Sequence, residues 1–253
     1  MKMSSAVAPA AETRSLNEFE RLSKMFYAPS EGFADIKRKS LWVWPFVVMA
    51  IFSWVYGGVV AKQIGFTQAA ANQIRLAPES QRQQMEQAPP EQRAKMEQVS
   101  IRITKVITYG FPVISLAWLM IVAVVLWGTF NFGLGRELTY NQSLSILMYA
   151  SIVGIIKLVV AIITLFVGVD PENFFMQVPV GSTPAYFMSI ADNPRWLYSL
   201  AASIDIFVLW TLVLTAIGFS VVGKVKRSTA FTVVFGWYFL VVAVQVSWAA
   251  IMG

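Results

Sequence analysis

The chain contains no cysteine and no histidine among its 253 residues. Their absence excludes disulfide scaffolds, thiol catalysis, Ser-His catalytic pairs, histidine-ligated metals and histidine-based pH switches. Charge is scarce as well. Only 13% of residues are charged, against about 25% in a soluble domain. The net charge of +6 does not form a nucleic-acid patch. The lysines and arginines gather at the ends of long apolar runs, where they mark membrane boundaries. No cleavable signal peptide is expected, because the first apolar run begins near residue 41 and is too long for an h-region.

What the sequence has in excess is hydrocarbon, at 57% hydrophobic residues. It falls in runs of about 20 residues, the length that crosses a bilayer core of about 30 Å. Five spans are expected, near 41–61, 108–130, 144–168, 197–222 and 229–252. The fold class is therefore all-α and polytopic. It divides into a tail over 1–40 and a five-span domain over 41–253, with a helical arm over 62–107. Pro45 and Pro112 are expected in the first turns of their helices, where a missing N–H costs least.

Lys37-Arg38-Lys39, Arg136, and Lys224, Lys226 and Arg227 share one side of this layout. The positive-inside rule makes that side, and the N-terminus, cytoplasmic. The arm carries seven basic residues against four glutamates on the opposite side, although several stand far from a membrane end.

In the tail, Leu16, Phe19, Leu22 and Phe26 make one apolar stripe at helical spacing. Pro29 breaks the run, and Ser30 is placed to cap a second short helix carrying Phe33. With Lys37, Arg38 and Lys39 these residues suit a helix lying in the membrane interface. A partner-binding helix is the alternative. The arm repeats "QRQQMEQ" (81–87) as "QRAKMEQ" (92–98), each preceded by Pro-Glu. This predicts successive helices broken at Pro89-Pro90, with Arg82, Met85, Arg93 and Met96 as docking candidates. A solvated hairpin is the alternative. Segment 169–196 is too proline-rich to span, and Phe174, Phe175, Tyr186 and Trp196 are expected as interfacial belt residues.

Two charged residues fall deep in spans, Lys157 in "YASIVGIIKLVVAIITLFVG" and Asp205. Lys157 is 13 residues past Leu144, or about 20 Å from that end of span three. Asp205 is eight residues past Leu197, about 12 Å below the opposite face and so about 18 Å from the first in a core of about 30 Å. The two stand at one level on antiparallel neighbours, which predicts an ion pair. Such a pair either fixes helix register or sits in a transport path. Ala150 and Gly154 have the small-xxx-small spacing of close helix packing. "GTFNFGLGRE" reads as a flexible turn, not a phosphate loop, because its glycines follow no strand. One buried aspartate, no H-E-x-x-H and no clustered acids leave no basis for catalysis, metal or cofactor.

The stretch "SIDIFVLWTLVLTAIGFSVVGKVKRSTAFTVVFGW" resembles the hallmark region of the Yip-domain family (Ypt/Rab-interacting-protein-like), especially its bacterial branch. The matching positions are Asp205, Phe207, Trp210, Gly218, Gly223, Lys224 and Lys226. "FYAPSEGFADIKRKSLWVWPFVV" is similar to the family's approach to span one. The resemblance implies a five-span, non-enzymatic membrane protein. Its eukaryotic members bind small GTPases, but their acidic-aromatic-Gly-Pro element before span one is lacking here, so a GTPase partner is not implied. The expected role is an accessory or scaffold protein of the bacterial inner membrane, organising a membrane or envelope complex such as an ABC-type exporter. A lipid-moving or transport protein and a membrane-shaping protein are the alternatives, and self-association is left open.

Overall fold

A computed structural model describes residues 15–189 and 192–252, and for Met252 the backbone alone. The start of the tail (1–14) and residues 190–191 of the proline-rich segment lie outside the described residues. Every regular element among the described residues is helical. The tail forms α1 (Glu18–Tyr27) and α2 (Pro29–Ile36). Asn17 and Glu20 close a reciprocal capping box on α1, which satisfies two otherwise orphaned N–H groups. Ala28, not Ser30, precedes α2, because Pro29 takes the first helical position, where its lack of an N–H is harmless.

Helix α3 (Val43–Gln63) is the first span, with Pro45 in its first turn. The arm comprises α4 (Phe66–Arg75), α5 (Glu79–Gln87) and the beginning of α6 (Pro90–Gly128). The chain breaks at Ala88-Pro89 as the repeat predicts, but α6 then runs unbroken for 39 residues into the bilayer. Pro112 therefore lies inside a helix instead of opening one. Span three is α7 (Tyr140–Ala150), a 3₁₀ turn at Ser151–Val153 and α8 (Gly154–Val167). The glycine-rich stretch before it is not loose. It forms a π turn at Thr129–Gly133, and Asn131 exchanges hydrogen bonds with both backbone groups of Leu138.

The fourth span departs most from expectation. It is two helices, α9 (Arg195–Ser203) and α10 (Ile206–Val222), bent by 51°. The break falls where Asp205 turns its side chain onto the N–H groups of Phe207 and Val208, replacing the carbonyls of a continuous helix. Helix α11 (Arg227–Met252) completes the bundle. Among the described residues, four segments are long and apolar enough to cross a membrane, and counting the bent α9–α10 pair as one span makes five.

Around α10 pack α2, α7 and α11, while α3 packs on α6 and α8. Phe130 and Phe219 stack at the core with centroids 4.5 Å apart. The tail helices press one face into the bundle, against α7 and α10. Phe33 is fully buried, and Phe26 meets the Trp210 ring edge-on at 6.0 Å. Of the expected anchors, Phe33 is buried and Leu22 partly so, while Phe19 (78% exposed), Phe26 (41%), Lys37, Arg38 and Lys39 face outward. Gly218 of α10 makes this insertion fit, because a Cβ there would stand 2.5 Å from Ile146 and 2.9 Å from Phe33. Gly218→Val is expected to cost about 1–3 kcal/mol by overpacking, read as a lower melting temperature in detergent. An unchanged melt would mean that the α2–α10 contact is not tight.

Candidate functional site

The fold brings Lys157 and Asp205 together. Lys157 Nζ donates to Asp205 Oδ2 at 2.8 Å, and Ser182 Oγ donates to the same oxygen at 2.7 Å. The other oxygen, Oδ1, accepts from the backbone N–H groups of Phe207 at 2.8 Å and Val208 at 3.3 Å. Asp205 is buried, with its side chain 3% exposed, whereas Lys157 is 22% exposed. One carboxylate therefore joins α8, the proline-rich segment and the start of α10. Each of its oxygens serves two donors, which offsets much of the cost of burying its charge. The backbone adds a further tie, since Ile206 N–H donates to the Ser182 carbonyl at 3.1 Å.

The other hallmark residues build the surroundings of this node. Phe207 packs between two core clusters, and Trp210 receives Phe26. Gly223 ends α10, Lys224 takes the left-handed region at φ 51°, and the Lys226 carbonyl accepts from Ala230 to begin α11. Lys37 and Lys224 stand close on the N-terminal face. Slight desolvation, and then the charge of Lys224, lower the pKa of the exposed Lys37.

A second polar node was not singled out in the sequence. Arg21 is fully buried. Its Nε and Nη2 donate to Asp35 Oδ2 at 2.9 and 2.6 Å, and Nη2 also reaches the Leu16 carbonyl at 3.3 Å. Nη1 donates to Glu18 at 2.8 Å and to the Tyr149 hydroxyl at 3.1 Å. The Tyr149 hydroxyl in turn donates to Glu18 at 2.6 Å. All five guanidinium N–H groups are thus engaged. Burial disfavours the charge of Arg21, but the bonds to Tyr149 and Asp35 outweigh it and hold its pKa above the usual arginine range. Tyr149 lies nine residues into α7, about 14 Å from its start, so this node fastens the tail well inside the bundle. Glu18, Arg21 and Met25 share a helical face with buried apolar neighbours, and that spacing was the available signal.

On the far side of Lys157, a cavity of about 700 Å³ opens between α3, α6 and α8. Gly154 stands on its wall, and a Cβ there would meet nothing within 4 Å. The Ala150–Gly154 spacing is consequently not a close helix contact at Gly154. In the arm, Met85 and Met96 face one pocket of about 650 Å³, Arg93 is bonded to the Glu86 carbonyl and Arg82 is half-buried. Among the belt residues, Tyr186 and Trp196 are exposed, but Phe174 is 2% exposed and packs with Tyr56, Val60 and Ala161. Asn72 of α4 draws that segment inward by donating to the carbonyls of Pro171 and Phe174. Among the described residues, no acidic side chains are grouped to hold a metal ion.

No curated protein and no solved structure matches the chain significantly. A family model described as the Yip1 domain matches residues 23–249, a stretch that begins within α1 and ends in α11. That stretch takes in the Arg21-anchored hairpin's second helix, the arm and the Asp205 node, and the chain is an integral membrane protein that belongs to the Yip1 domain family.

Proposed function

We propose that this chain is a non-enzymatic scaffold of the bacterial inner membrane. Its N-terminus would be cytoplasmic and its arm would hold a partner from the membrane or envelope, such as an ABC-type exporter. The observation that carries this reading is α6. Over 39 residues it extends about 58 Å, roughly twice the bilayer core, with no break between arm and span. A partner bound at the arm would be held in a fixed relation to the bundle. Two further features support it. Asp205 accepts four hydrogen bonds within the fold, from Lys157, Ser182, Phe207 and Val208, which suits a fastening better than a conducting site. The basic residues Lys37, Lys224, Lys226 and Arg227 gather on the N-terminal face, where anionic headgroups would meet them.

Deleting residues 78–98 removes α5 and the outer end of α6. The deletion is expected to abolish co-purification of the partner in mild detergent while leaving the amount of chain in the membrane unchanged. Recovery of the same partner with the shortened chain, or of wild-type chain alone at every detergent strength, would refute the role.

A further inference from the structure

The membrane cavity and the pocket under the arm are parts of one groove. Both are walled by Gln73, Thr104 and Ile107. Along α6 one helical face runs through both walls, from Met96, Ser100 and Ile103 outside, through Ile107, to Phe111 and Trp118 within. The level of the membrane edge follows from the helix pairing. Gly57 of α3 lies against Thr108 of α6, and Trp54 Nε1 donates to the Tyr109 carbonyl at 2.9 Å. Helix α3 continues outward for six residues to Gln63, while α6 runs the other way, so Lys62 and Arg102 stand at about one level. The shared residues thus form a neck near the bilayer surface.

The two ends of the groove differ in chemistry. The inner part is apolar, with Phe46, Met49, Leu119 and Met148 on its walls. The outer part carries Gln81, Gln84, Gln92, Lys95 and Ser100 beside its methionines. Between them is Tyr56, 8% exposed, whose buried hydroxyl has no partner among the described residues. An unmade hydrogen bond at a buried hydroxyl costs about 1–3 kcal/mol, and the cavity in front of it is large enough for a ligand.

We infer that this groove binds one long-chain acyl-ester lipid of the arm-side leaflet. The chain fills the apolar part beside Gly154, an ester carbonyl accepts from the Tyr56 hydroxyl, and a hydroxyl-rich headgroup passes the neck to lie among the arm glutamines. Methionine side chains on both walls adapt to a flexible chain. The site needs no protein partner, so it stands or falls separately from the scaffold role.

The test uses full-length protein in vesicles containing phosphatidylglycerol with a photoactivatable diazirine near the chain end. Met148 is 1% exposed and lies on the cavity wall, whereas Val113 and Ile121 face outward at 65% and 58%. Labelling is expected at Met148 as well as at Val113 and Ile121. Gly154→Phe, which fills open space, is expected to reduce the Met148 adduct at least ten-fold and leave the outward adducts unchanged, a built-in check of folding. Tyr56→Phe is expected to lower lipid retained through purification by about two- to ten-fold, the equivalent of one net hydrogen bond. Labelling confined to Val113 and Ile121, or a Met148 adduct indifferent to Gly154→Phe, overturns the site. Undiminished retention in Tyr56→Phe overturns the ester contact.

Discussion

Asp205→Leu is expected to destabilise the purified protein by about 3–5 kcal/mol, the range for breaking a buried charge pair from one side. The substitution removes four acceptor contacts at once. Lys157 is left unpaired beside an apolar cavity, the Ser182 hydroxyl loses its acceptor, and the first N–H groups of α10 lose their cap. Lys157→Met should cost less, because Asp205 keeps its other three donors. Combined, the two substitutions should cost less than their sum, since neither charge is then stranded. Thermal or denaturant unfolding of the four proteins in one detergent measures the coupling. Strict additivity would show that the two side chains do not interact energetically. The same series addresses transport. If the neutral variants stay folded and membrane-inserted but lose a solute or lipid flux, the pair is a transport site and not a fastening.

The second large effect is expected at Arg21. Arg21→Met leaves Asp35, at 6% exposure, and Glu18 facing each other without the cation that joins them. A loss of about 3–5 kcal/mol is expected. It should appear first as rapid proteolysis of the α1–α2 hairpin, because the guanidinium ties both helices to Tyr149 of α7. Arg21→Lys should not rescue it. A single ammonium cannot reach Asp35, Glu18, Tyr149 and the Leu16 carbonyl with forked geometry. Adding Asp35→Leu to Arg21→Met should recover part of the loss. If the hairpin of Arg21→Met is as protease-resistant as the wild type, the tail is held by Phe33 and Met25 alone.

Much of the architecture was legible because hydrocarbon thickness sets span length and helix rise sets depth. The level of Lys157 and Asp205 needed only residue counts from Leu144 and Leu197. What counting could not reveal is a competition between side chain and backbone for the same N–H groups. Asp205 read as an interior residue of a straight span, yet its carboxylate caps α10 and the span bends there. The arm shows the same limit. Its repeat marked the break at Pro89, but no local signal distinguished a helix that stops at the membrane from one that continues through it past Pro112. The tail shows another limit. Leu16, Phe19, Leu22 and Phe26 make a stripe for a membrane surface, while the face that enters the bundle carries Arg21 and Met25. Polar residues on a buried face have no hydrophobic signature. Only their partners on α2 and α7, distant in sequence, make that burial tolerable.

The unbroken course of α6 gives the arm and the second span one helical phase. Inserting a single residue between positions 100 and 107 would turn everything outside it by about 100° about the helix axis, carrying Met96 and Ser100 off the face they share with Ile107, Phe111 and Trp118. Four inserted residues would nearly restore the heading. An insertion at the Ala88-Pro89 joint would leave it untouched. The arm is therefore constrained in angle as well as in composition, and its length can vary freely on one side of Pro90 but only in whole turns on the other.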